Sequence, residues 1–328
     1  MSDALDPAVA AVRRAVRLTL SDLEPGAHVL VACSGGADSM ALADAAVFEG
    51  AHAGWVVGAV VVDHGLQPGS ATVSREVAGR LTTLGCAPVT VVKIRVGRDG
   101  GPEAAAREAR FAALEEAGAA ENAAVLLGHT LDDQAETVLL GLARGSGTRS
   151  LSGMAAVNGR FRRPLLGVRR AQTVQACAAR ALTVWQDPHN DDPGFARVRV
   201  RHEVLPRLEE ALGPGVTEAL ARTAAAARLD ADLLDEQADR VLETATGPAG
   251  ALDLAELADA PTALRRRVLR RAALAAGCPN RDLFAVHVDE LDRLVHDWRG
   301  QGPLTLPGGV LAGRAKGTIT FTRTPVGR

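Results

Sequence analysis

The sequence predicts an α/β fold in which helices wind a parallel sheet, with a second, mainly helical domain behind it. Four short apolar or β-branched runs, at 28–33, 55–62, 88–96 and 123–127, alternate with helical stretches. Runs of this kind read as strands buried on both faces, the arrangement in which right-handed crossovers cover a parallel sheet. The breaker cluster Gly213-Pro214-Gly215 then precedes an Ala- and Leu-rich helical stretch over 216–245. Domains are therefore expected at 1–212 and 216–328. The 328 residues, 47% hydrophobic and 23% charged, have the make-up of a water-soluble globular protein.

In chain order, an amphipathic helix is expected over 5–23, with Leu5, Val9, Val12, Val16 and Leu20 in one stripe. The strand at 28–33 passes through Ser34-Gly35-Gly36-Ala37-Asp38-Ser39 into an apolar helical run. Such a junction offers free N–H groups and a positive dipole end, which suits a bound phosphate. Gly35 and Gly36 let the backbone approach the anion, and Ser34 and Ser39 add hydroxyl donors. No G-x-x-x-x-G-K-[ST] occurs. Asp38 stands in the first turn instead, and a carboxylate beside phosphates makes sense with a metal ion between them. Ser and Asp serving only as helix caps is the competing reading.

The run at 55–62 ends in Asp63-His64-Gly65-Leu66. A helix over 71–84, the strand at 88–96, a helix over 103–118, the strand at 123–127 and a helix over 131–143 follow. Ligands of parallel sheets sit at the carboxyl ends of the strands, where both the glycine turn and Asp63-His64 fall. A third cluster falls there too, Gly128-His129-Thr130-Leu131-Asp132-Asp133-Gln134-Ala135-Glu136-Thr137. On a helix, Asp132 or Asp133 shares a face with Glu136, and His129 lies at the strand end behind them. Together they can hold Mg²⁺, a cationic substrate or a proton; acidic residues placed only for the helix dipole are the alternative. Arg107 and Arg110 sit one turn apart on the preceding helix. One of them facing the site would neutralise phosphate charge, against a plain Glu103–Arg107 surface pair.

Net charge is −2, yet twelve arginines between 144 and 207 stand against only Asp187, Asp191, Asp192 and Glu203. They are Arg144, Arg149, Arg160, Arg162, Arg163, Arg169, Arg170, Arg180, Arg197, Arg199, Arg201 and Arg207. The excess reads as a footprint for a polyanion, with Arg144-Gly145-Ser146-Gly147-Thr148 a flexible loop beside the site; solvated arginines without a partner remain the alternative. Cys33, Cys86, Cys177 and Cys278 form no C-x-x-C pair, so neither a zinc knuckle nor a disulfide framework is indicated. Nothing has membrane-spanning length and the N-terminus carries no secretory pattern, so a cytoplasmic protein without membrane contact is expected.

The S-G-G-x-D-S pattern at 34–39 resembles the PP-loop of the ATP pyrophosphatases, which split ATP into AMP and pyrophosphate. With Val62-Asp63-His64-Gly65-Leu66, 102–111, 128–137, Arg144-Gly145-Ser146-Gly147, Arg163-Pro164-Leu165-Leu166 and 185–191, the resemblance narrows to the tRNA(Ile)-lysidine synthases, over roughly 28–210. It implies a PP-loop, adenine nucleotide alpha hydrolase-like fold. The implied reaction adenylates the wobble cytidine of tRNA(Ile) with a CAU anticodon and then joins L-lysine to it. ATP would bind through Ser34, Gly35, Gly36, Ala37, Asp38, Ser39, Asp63 and His64, with Mg²⁺ at Asp38 and Asp133. The chemistry would fall to Asp38, His129, Asp132, Asp133, Glu136, Arg107 and Arg110. The second domain would help hold the tRNA, the additional C-terminal domain of some longer family members is not expected, and a homodimer is compatible with the resemblance. Gln67 replaces a family arginine, and Arg197-Val198-Arg199-Val200-Arg201 replaces R-N-R-x-R. A PP-loop tRNA-thiolating enzyme and a non-catalytic nucleotide-binding module are the alternatives.

Overall fold

A computed structural model describes residues 5–65, 69–94, 102–145, 147–187, 191–247 and 250–323. Leu66, Gln67 and Ser146, named above, and residues 188–190 of the segment 185–191 lie outside the described residues. The chain forms α1 (Pro7–Thr19), β1 (His28–Ala32), α2 (Ala37–Ala53), β2 (Val56–Asp63), α3 (Ser70–Leu84), β3 (Val89–Lys93), α4 (Pro102–Ala120), β4 (Ala124–Leu127), α5 (Leu131–Ala143) and α6 (Thr148–Leu151). It continues with β5 (Val157–Asn158), β6 (Phe161–Arg162), a 3₁₀ turn over Pro164–Gly167, α7 (Arg170–Ala179), α8 (Ala196–Arg199), a π-helical turn over Val200–Val204, α9 (Leu205–Leu212) and α10 (Val216–Ala245).

The six-stranded sheet has the order β3-β2-β1-β4-β6-β5, parallel except for the β5–β6 pair. β1 is central, with Val31 opposite Ala59 on one side and Leu126 on the other. The chain first winds outward through β2 and β3, then returns to add β4 on the other flank of β1. That reversal between β1 and β4 is the crevice where doubly wound sheets bind ligands. Period-2 alternation sends Val29, Val31, Val57, Ala59 and Val61 into one core, against α1, α2, α3 and α7. Leu30 and Val60 go into another, with Val125, Leu127, Leu114 of α4 and Phe161. The α1 stripe is buried at Val9, Val12, Val16 and Leu20, but Leu5 precedes the helix and is exposed.

Two compact units emerge, Met1–Leu140 with Gly153–Arg222, and Gly141–Ser152 with Thr223–Arg328. The division thus falls inside α10, not at the expected breaker, and the segment around Arg144–Thr148 belongs to the second unit. The reason lies in Glu209, whose carboxylate accepts the N–H groups of Gly215, Val216 and Thr217 at 2.7, 3.2 and 2.9 Å. The breaker is thereby converted into a capped helix start. Farther along α10, Ala224, Ala231, Ala238 and Ala245 are buried at seven-residue spacing.

The second unit adds β7 (Leu252–Asp253), α11 (Leu254–Asp259), α12 (Thr262–Ala275), α13 (Ala285–His296), β8 (Leu304–Leu306), β9 (Val310–Ala315) and β10 (Thr318–Arg323). The helices accompany a four-stranded antiparallel sheet of order β7-β10-β9-β8. On α12, Arg265 bonds Asp292 at 2.6 Å, Arg267 bonds Asp235 at 3.0 Å, and Arg266 and Arg271 meet Asp289 and Asp239. No helix among the described residues is long and apolar enough to cross a membrane.

Candidate active site

The site is built entirely within the first unit. Gly35 has φ +87°, and a Cβ there would lie 2.5 Å from Val77 Cγ2, so this turn requires glycine. The Ser39 hydroxyl donates to the Gly36 carbonyl at 2.9 Å and accepts the Ser34 N–H at 3.3 Å, pinning the loop from inside. Gly36 caps α2 without a side-chain bond, which leaves the first N–H groups of that helix directed outward. β4 comes close beside it because Gly128 has no side chain; a Cβ would sit 3.2 Å from Ser39 N. His129 and the start of α5 are thereby set next to the glycine turn.

One side chain gathers the expected acids. Arg170 donates through Nη2 to Asp133 Oδ1 at 2.7 Å, through Nη1 to Glu136 Oε1 at 3.3 Å and through Nε to Asp38 Oδ2 at 3.4 Å. Its main-chain N–H donates to Asp132 Oδ2 at 2.7 Å. Arg201 adds Nε to Glu136 Oε1 at 2.7 Å, Arg197 lies 3.6 Å from Glu136 Oε2, and Arg169 meets Asp132 at 3.1 Å. Thr130 fixes the other Asp133 oxygen through its N–H and hydroxyl, both at 2.8 Å, and the Thr173 hydroxyl donates to Asp38 Oδ1. Glu136 is fully buried.

These contacts divide the carboxylates electrostatically. Burial pushes Asp38 above the ordinary carboxylate range, and Thr173 and Arg170 offset only part of that. Burial also acts on Asp133, yet Arg170 and the N–H and hydroxyl of Thr130 hold it below that range. Arg170 is itself desolvated, but Asp133, Asp38, Glu136 and Asp132 outweigh this and keep it charged more firmly than usual. Asp38 and Asp133, expected as Mg²⁺ ligands, thus share a guanidinium. Among the described residues no group of three or more His, Cys, Asp and Glu side chains is arranged to hold a metal. As the side chains stand, the two carboxylates are paired with the guanidinium.

Behind the acids lies a cationic lobe. Burial lowers His129 to about 3, Asp133 opposes this, and Arg163, Arg110 and Arg107 add to it. Burial, then Arg107, Arg197 and Arg163, lower Arg110 to about 10. Its buried Nε has no hydrogen-bond partner among the described residues. Crowded positive charge of this kind favours an anion. Arg110 is the inward member of the Arg107–Arg110 pair, Arg107 is exposed, and the Glu103 side chain lies outside the described residues. Asp63 accepts the Gly65 N–H at 3.0 Å and so shapes the turn after β2. His64 follows it, lowered by burial and by Arg110. Next to the acids is a cavity of about 150 Å³ lined by Asp132, Glu136, Arg169, Arg170 and Arg201.

The arginine excess over 144–207 has acid partners from outside that span. Arg160 bonds Glu115 at 2.6 Å, Arg162 bonds Asp22 at 2.8 Å and Arg180 bonds Asp44 at 3.1 Å, while Arg169, Arg170, Arg197 and Arg201 meet the acids of the site. Arg199 turns back onto the carbonyls of Pro193 and Gly194 at 2.6 and 3.0 Å. The polyanion surface expected from local counting is, for these side chains, a set of intramolecular ion pairs. Sequence reasoning missed Thr130 and Thr173 as ligands of the acids, and Arg170 and Arg201 as their counterions.

The chain matches a family described as PP-loop domain over residues 9–208 and one described as TilS substrate binding domain over 252–320. It is 54% identical to a tRNA(Ile)-lysidine synthase of Streptomyces coelicolor, covering 96% of this chain and 98% of that one. Identity to the tRNA(Ile)-lysidine synthase of Thermobifida fusca is 56%, over 95% and 97% of the two chains. Among solved structures, the U34-tRNA thiolase NcsA from Methanococcus maripaludis, with its [4Fe-4S] cluster, superposes with a TM-score of 0.53 at 18% identity. That likeness covers 66% of this chain and 77% of the other, and it concerns the fold alone.

Proposed function

We propose a reaction from one premise: the chain belongs to the tRNA(Ile)-lysidine synthase family, which it matches over nearly its whole length. The enzyme joins L-lysine to C2 of the wobble cytidine of tRNA(Ile), with a CAU anticodon, at the expense of ATP. The phosphates of ATP lie over the first turn of α2, between Ser34 and Ser39, within reach of Arg110. Cytidine O2 attacks the α-phosphorus, forming an O–P bond as pyrophosphate leaves. The neutral ε-amine of lysine then attacks C2, and AMP departs with O2. The proton lost by the amine passes to a carboxylate of α5. Charge that develops on phosphate is met by N–H groups already directed outward and by arginine, without reorganisation at the moment of reaction.

The observation that carries this reading is the gathering of four carboxylates by Arg170 beside a cavity of about 150 Å³. That volume is on the scale of one amino acid. Its wall offers the Asp132 carboxylate for an ammonium group and Arg169 or Arg201 for an α-carboxylate, the complement of a lysine zwitterion, with Glu136 enclosed behind the arginines. The thiolation alternative has no comparable support. All four cysteines are buried, and burial pushes the Cys86 and Cys177 thiols up to about 12 and about 11, away from nucleophilic thiolate. Incubation with unfractionated tRNA, ATP and each radiolabelled amino acid in turn tests the assignment. Label enters tRNA from lysine alone if the reading holds. Transfer of another amino acid, or AMP release without any transfer, overturns it.

A further inference from the structure

We propose that Arg163 is a positioning residue that fixes His129 as a neutral hydrogen-bond donor, and that His129 is not the base that takes the proton of the amine. The Nε–H of Arg163 donates to His129 Nδ1 at 3.3 Å. A guanidinium has donors only and stays protonated, so Nδ1 must be the acceptor. The neutral imidazole then carries its proton on Nε2. Protonating Nδ1 would set N–H against N–H beside a full positive charge. The groups that act on the imidazole are Asp133 on one side and Arg163, Arg110 and Arg107 on the other, one carboxylate against three cations.

The support for Arg163 is itself fixed by the acidic helix. Arg163 donates through Nη1 to the Ala155 carbonyl at 2.9 Å and through its main-chain N–H to the Ala156 carbonyl at 2.8 Å. Gln134 grips the residue before them from both sides. Its Nε2 donates to the Met154 carbonyl at 3.0 Å, and its Oε1 accepts the Met154 N–H at 2.7 Å. Gly153 permits this approach, since a Cβ there would lie 2.5 Å from Gln134 Oε1. A closed path therefore runs from Gln134 through residues 154–156 and Arg163 to His129, which precedes the same helix. A donor held so rigidly serves an oxygen that gains negative charge, on phosphate or on the departing AMP. It cannot collect a proton without breaking its contact with Arg163. The role in reaction rests on the site assignment above, whereas the tautomer does not.

Two measurements separate these. In the full-length protein labelled with ring-¹⁵N histidine, His129 is assigned by its loss in His129→Gln. We expect Nε2 protonated, Nδ1 bare, and no titration between about pH 5 and 8, where ordinary histidines titrate. Arg163→Met should release the ring to titrate in that range, and Arg163→Lys should restore part of the lock. A protonated Nδ1, or titration in the unaltered protein, overturns the lock whatever the enzyme does. In single-turnover adenylation, His129→Ala should lose about 10²–10³-fold, the usual cost of one such donor. His129→Gln, whose amide N–H replaces Nε2–H, should recover roughly tenfold of it, and Arg163→Met should gain a pH dependence that the unaltered enzyme lacks. If Gln is as inactive as Ala while the spectrum is as expected, the lock stands and the donor role fails.

Discussion

At the scale of single residues, Arg170 is the side chain on which the site turns. Only a planar fork with a separate Nε–H can reach Asp38, Asp133 and Glu136 together, and a lysine would present one point charge. Arg170→Met is expected to cost about 3–5 kcal/mol, because it leaves buried carboxylates uncompensated. Urea unfolding measures this, and Arg170→Lys should recover only part of it. A loss below about 1 kcal/mol would mean that water replaces the guanidinium easily. Thr173 makes a subtler case. Thr173→Val removes the hydroxyl that Asp38 Oδ1 accepts while keeping the shape. AMP formation should fall, with a stability loss of about 1 kcal/mol for a part-buried acceptor that loses its partner. Thr173→Ser should restore both, and equal damage from Ser and Val would place the effect in packing instead.

At the scale of elements, α7 works as a bracket: Arg170 and Thr173 at its start hold the acids, and Arg180 at its C-terminal cap holds Asp44 of α2. The cap of α10 provides a pH test. Hydrogen bonds from the Thr217 N–H foremost, with the Thr217 hydroxyl and the Val216 and Gly215 N–H groups, lower Glu209 to about 2. A depressed carboxylate contributes stability above its unfolded value of about 4.3, and the contribution is lost as pH falls toward 2. Glu209→Ala should therefore cost about 1 kcal/mol at neutral pH, and its deficit relative to the unaltered protein should shrink on acidification below about pH 4. A deficit independent of pH would point to packing rather than charge. The strand ends, the glycine turn and the acidic motif were legible in the sequence because their signals are local in period and spacing. The counterions were not. Arg170 and Arg201 lie 38 and 65 residues beyond Asp132 and Glu136, and only the return of the chain past β6 brings them in. Counting charge within a segment therefore overlooked acids that lie outside it in sequence. The compact units part after Arg222 rather than at Gly213-Pro214-Gly215, and Glu209 satisfies the helix start that the breakers leave open.

At the scale of the whole molecule, two units divide the chain, and every residue assigned above to nucleotide or amino acid lies in the first. Ending the chain after Arg222 keeps the Glu209 cap and should leave ATP affinity within a few-fold, while tRNA affinity falls about tenfold or more, or about 1.4 kcal/mol. Equal losses would make the second unit a support for the first. The central claim is that the acids of α5 form an amino-acid pocket rather than a metal site, and Asp132 tests it with least damage. It lines the cavity and is held by Arg169 and by one main-chain N–H, while Glu136 is fully enclosed. The decisive measurement is a single-turnover reaction of Asp132→Asn with ATP, lysine and tRNA, quenched to separate adenylated from lysine-bearing tRNA. The account predicts that adenylated tRNA forms at near the normal rate and accumulates, with lysine transfer slowed about tenfold or more, restored in part by excess lysine. Complete loss of adenylation would contradict it and return the acidic motif to the nucleotide.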